Sequence, residues 1–177
     1  MFMQYKKRIF IISGLVIICF IIQITLLPYI SLGSIVPNIM IIVTSSIGFM
    51  RGKKEGMLTG FLCGILIDIF FSDLLGYQGL LYLFIGYTNG YFQRLFYDED
   101  IKLPLALIAS SEVVYGLGTF LLSFLLRSRF AFSYYFMHII IPELIYTMLF
   151  TLVLYQIIRK LNHWLENEEK RSASKFV

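Results

Sequence analysis

The amino-acid sequence predicts an all-α membrane protein, a bundle of six transmembrane helices with both termini in the cytoplasm. Three observations lead there. Hydrophobic residues fill 58% of the 177 positions and charged residues only 15%, whereas a soluble domain is nearer half apolar and a quarter charged. A chain this size cannot hide so much Ile, Leu and Phe in one water-facing core. The apolar residues form six continuous runs, without the strict alternation that a barrel strand needs. The basic residues cluster between those runs, which is how topology is written into a membrane chain. A water-soluble enzyme, a disordered tail and a nucleic-acid-binding module are thereby excluded as readings of the whole chain.

The first span is placed over 9–27 and stops at Pro28. Lys6, Lys7 and Arg8 precede it, as in a signal peptide, but the run is long, lacks a small-x-small cleavage site and is followed by more spans; an uncleaved helix is expected. The second span is placed over 36–50 with Pro37 in its first turn, where a missing N–H does no harm. The third covers 56–71, the fourth 78–92, the fifth 103–126 and the sixth 136–158. Residues 1–158 thus form the integral membrane domain, and 159–177 a charged cytoplasmic tail. That tail is read as a solvated topology anchor, or else as a contact for a cytoplasmic partner or anionic lipid.

Orientation follows from Lys and Arg. With the N-terminus inside, 13 of the 15 basic residues are cytoplasmic, and only Arg127 and Arg129 lie outside. Tyr29, Tyr77, Tyr134 and Tyr135 fall at the outer boundary, and Tyr91, Tyr97, Tyr155 and Trp164 at the inner one, as an aromatic belt. Cys19 and Cys63 lie inside apolar runs and are read as small apolar residues.

The membrane interior carries the informative residues. Gly48, Gly52, Gly56, Gly60 and Gly64 recur every four positions, and Asp68 takes the next step. Four residues advance about 400° around a helix, so the series stays on one face. Gly86 and Gly90 repeat the spacing in the fourth span. Small residues so placed let another backbone approach, within the bundle or from a partner helix. Asp68 costs at least ~2.5–3.5 kcal/mol within a span unless paired, protonated or hydrated. Glu143 heads a second four-step series, Glu143, Thr147, Thr151 and Tyr155, and Glu112 lies deep in the fifth span. The outer cations are their natural partners, so an outer polar cluster of Asp68, Glu143 and Arg127, with Glu112 deeper, is expected; it either orients helices, or lines a cavity or holds a partner. His138, near the same boundary, is read as an interface residue.

No His/Cys/Asp/Glu set has zinc spacing, no Gly loop ends in Lys-Ser/Thr, and no nucleophile elbow is present. No catalytic, cofactor or metal residue is therefore assigned. An outer-leaflet lipid enzyme with Asp68 or Glu143 as general base is the remote alternative.

One stretch resembles the MreD family of rod shape-determining membrane proteins. Pro37-Asn38 opens the second span, Arg51-Gly52-Lys53-Lys54-Glu55-Gly56 makes a short basic turn, and Gly60-x-x-x-Gly64-x-x-x-Asp68 follows. Ser72-Asp73-Leu74-Leu75-Gly76 and then Gly86-Tyr87 and Gly90 complete the set. The resemblance covers 37–90 and implies a non-enzymatic scaffold of the bacterial cell-elongation (peptidoglycan-synthesis) complex. Implied with it are a multi-pass place in the cytoplasmic (inner) membrane and, as partners, MreC, MreB, a RodA-type glycosyltransferase, a class B penicillin-binding protein and membrane lipid. It further implies a bundle similar to the substrate-binding subunits of energy-coupling-factor transporters. A vitamin-binding subunit of that kind is the competing function.

Overall fold

The computed structural model describes residues 2–31, 35–72, 74–95, 101–127 and 132–174. Among these the chain is helical and contains no strand. Six helices form the bundle: α1 (Phe2–Thr25), α2 (Ile39–Arg51), α3 (Lys53–Phe71), α4 (Tyr77–Tyr91), α5 (Lys102–Arg127) and α6. The last comprises Phe132–Tyr135, a π-helical turn Phe136–Ile140 and Ile141–Ser174. Short 3-10 turns, Leu27–Ile30 and Phe92–Leu95, follow α1 and α4.

Local chemistry explains where these elements begin and end. Pro28 interrupts α1 and leaves a single 3-10 turn. Helix α2 starts at Ile39, later than expected, because Asn38 acts as its N-cap and accepts from the Ile41 N–H at 3.3 Å. Pro37 therefore precedes the cap instead of occupying the first turn. Gly52 alone separates α2 from α3, at φ +93°, a conformation that suits glycine. Pro142 has no N–H for the His138 carbonyl, and the turn before it widens, the Ile141 N–H bonding the Phe136 carbonyl.

Helix α2 is the axle of the bundle. Every residue from Ile39 to Met50 is buried, and α2 contacts α1, α3, α4, α5 and α6. At 13 residues its rise is about 20 Å, short of a ~30 Å hydrocarbon core. Thr147, Thr151 and Tyr155 of α6 are all buried. The polar series thus faces inward, and Tyr155 belongs to the core instead of the aromatic belt. The 34 residues of Ile141–Ser174 rise about 51 Å, more than a bilayer's thickness, and α6 carries the tail as helix as far as Ser174.

Candidate functional site

Helices α3 and α4 meet backbone to backbone. A methyl added at Gly56 would strike the Gly86 carbonyl, at Gly60 the Tyr82 carbonyl and at Gly64 the Gln78 carbonyl. Gly86 meets the Gly56 carbonyl in return, and Gly90 meets the backbone of Lys53. Each four-residue step along α3 is answered by one in the opposite direction along α4, the pattern of an antiparallel pair. Gly48 of α2 joins the seam, its missing methyl 2.7 Å from the Gly86 carbonyl oxygen. The glycine stripe is thus filled from within the chain.

Asp68 closes the far end of that seam. Its carboxylate, 1% exposed, accepts from the N–H groups of Gly76 (3.0 Å), Gln78 (3.2 Å) and Gly79 (2.9 Å). These are the amides that the first turn of α4 leaves without helical partners. Gly76, at φ +95°, turns the chain so that they converge. The carboxylate caps α4 from the end of α3 and sits at the positive end of its dipole.

A cavity of about 670 Å³ opens near Asp68, at the end of the bundle remote from the termini, where α1 and α3 end and α2 and α6 begin. Gln23, Asn38, Tyr82, Tyr115, His138 and Glu143 supply its polar lining. Most of these groups are already engaged. The Tyr82 hydroxyl donates to Asn38 Oδ1 at 2.9 Å, the Asn38 N–H to Thr147 Oγ1 at 2.9 Å, and the Ile39 N–H to Gln23 Oε1 at 2.8 Å. His138 stacks on Tyr134, ring centroids 4.3 Å apart.

Of the four polar residues expected to cluster, the structure joins Glu112 with Glu143. Their carboxyl groups face each other across the α5–α6 interface. The Glu112 oxygens, on a residue 2% exposed, have no donor among the described residues. Asp68 is engaged elsewhere, on α4. The Arg127 side chain lies outside the described residues. The described residues also contain no group of three His, Cys, Asp or Glu side chains able to hold a metal.

The opposite end carries a charge network that sequence patterning missed. Arg8 pairs with Glu55 and, at 3.1 Å, with Glu169. Arg51 reaches Glu169 at 3.2 Å and donates to Asn162 Oδ1. Burial raises the Glu55 carboxyl above its ordinary value of 4.5, and Arg8 and then Arg51 pull it partly back. The alternating charges of the tail were the one available signal, but nothing in them shows that the tail turns back onto α1 and α2.

The profile of one family, the rod shape-determining protein MreD, matches residues 3–164 of this chain. The chain belongs to the MreD family. No curated protein and no solved structure matches it, so the expected likeness to energy-coupling-factor subunits rests on no matched structure. The MreD match reaches well past the 37–90 stretch and takes in α5 and most of α6. Three helical segments of this MreD-family chain, Lys7–Thr25, Lys102–Leu122 and Phe132–Arg171, are long and apolar enough to cross a membrane. It is a membrane protein of a family that determines cell shape.

Proposed function

We propose that this chain is a non-enzymatic scaffold of the bacterial cell-elongation machinery, crossing the cytoplasmic membrane several times with both termini inside. It docks MreC and, through that assembly, serves the peptidoglycan-synthesis enzymes and the MreB filament. The family match over residues 3–164 carries this reading. The geometry is consistent with it. The glycine seam and the Asp68 cap make α2, α3 and α4 a rigid unit. Ile17, Ile18 and Ile21 of α1, Leu117 and Leu121 of α5, and Leu149 and Val153 of α6 keep exposed apolar surface for lipid or partner helices.

Depletion in the native cell tests it, with cell width and MreC co-purification as readouts. Rounded cells that lose the MreC association are expected. Rods of unchanged width that lose uptake of one vitamin would overturn the scaffold reading in favour of a transport subunit.

A further inference from the structure

A second cavity, of about 660 Å³, opens at the end of the bundle that carries both termini. Arg8, Arg51, Lys53, Lys54 and Arg94 line it, with Glu55 the one acid among them. The two arginines of the network are balanced there by Glu55 and Glu169. Lys53, Lys54 and Arg94 form no ion pair among the described residues. Lys53 is held by an aromatic face instead, its ammonium 3.2 Å from the centre of the Tyr91 ring.

The backbone adds to this positive surface. Helix α3 begins in the cavity wall, and its N-cap, Gly52, offers no side-chain acceptor. The N–H groups of the first turn therefore lack a capping side chain on the side where the positive end of the dipole emerges. Topology alone explains basic residues at a membrane boundary. It does not explain their convergence, with a helix N-terminus, on a concavity the size of a small-molecule site. Tyr91 of the lining and its chain neighbours Phe92 and Leu95 are exposed apolar side chains, a surface that suits the acyl chains of a lipid.

We infer that this cavity binds a phosphate-bearing anion, through Lys54, Arg94 and the first amides of α3. The inference is independent of the scaffold reading, since it needs neither MreC nor a role in cell shape. A lipid headgroup and a soluble phosphate ester offer the same chemistry, and the test separates them. The full-length protein is reconstituted in nanodiscs of phosphatidylcholine containing a minor fraction of phosphatidylglycerol, and bound lipid is read by native mass spectrometry. The wild type retains a phosphatidylglycerol molecule. K54Q/R94Q, which alters two exposed side chains, weakens retention about 30-fold. The control K160Q/K170Q removes the same charge outside the cavity and retains the lipid.

In a parallel arm, glycerol 3-phosphate is titrated against detergent-solubilised protein. Binding of that ester, abolished by K54Q/R94Q, with no retained lipid assigns the site to a soluble phosphate. Absence of both ligands, or equal losses in the two double variants, overturns the proposal.

Discussion

At the scale of single residues, a buried carboxylate separates structure from function here. Asp68 is costly in a span, which invites a catalytic or partner-holding role, yet three amides of α4 satisfy it. Asp68→Ala strands those amides. Charge-assisted bonds of this kind are worth about 1.5–3 kcal/mol each, but water and relaxation recover part of that loss. We therefore expect a destabilisation of about 2–4 kcal/mol, with Asp68→Asn, which keeps one acceptor, losing less. Thermal unfolding in detergent measures both, and an alanine variant as stable as wild type would refute the capping role. Glu55 makes a prediction of unusual sign. Its carboxyl is raised in the folded state, by burial first and against the pull of Arg8 and Arg51. The fold then binds more protons than the unfolded chain. The contribution of Glu55 is fully present below pH 4.5 and is lost as pH climbs through the folded value. The difference in melting temperature between wild type and Glu55→Gln should shrink or reverse across that window. A difference that grows with pH would show that the arginines outweigh burial.

At the scale of elements, the glycine seam decides the packing. Gly60→Ala places a methyl against the Tyr82 carbonyl, a backbone atom that cannot step aside. Forcing α3 from α4 should cost about 1–3 kcal/mol. Gly14→Ala in α1 meets nothing within 4 Å and should gain up to about 1 kcal/mol from helix propensity. The same substitution at two helical glycines thus changes sign, and a pair of melting curves reads it. Gly56, Gly60 and Gly64 were legible as a close-packing face because period and residue size are local properties. Their partner was not legible, since a stripe of small residues fits any backbone that presents a groove. Asp68 was legible as an anomaly but not as a cap, because the answer depends on a turn made possible by the positive φ of Gly76. Glu112 and Glu143 lie on different helices, and the rotational setting of α5 against α6 is not written in either one. The start of α2 was misplaced for a smaller reason: Asn38 competed successfully for the cap that Pro37 could not provide.

At the scale of the whole molecule, the two ends of the bundle differ in kind. The end with the termini is tied by Arg8, Arg51, Glu55, Asn162 and Glu169, which join α1, the α2–α3 turn and the extension of α6. The other end holds the Glu143-lined cavity, its described lining free of Lys and Arg. The charge asymmetry legible in the sequence thus becomes a physical asymmetry of the fold. A helix with Lys or Arg at one end resists translocating that end, and this bundle gathers such ends on one side. The cytoplasmic placement of both termini is testable with the chain nearly as it is. Cys19 and Cys63 are 3% and 0% exposed, so neither competes for a membrane-impermeant maleimide. A cysteine at exposed position 54, in Lys54→Cys, should label only after the cells are permeabilised. One at position 134, in Tyr134→Cys, where the native ring is 63% exposed, should label in intact cells. The reverse pattern would put the basic turn outside. The cation-rich cavity would then face the outer leaflet, and the Glu143 cavity would open toward the cytoplasm.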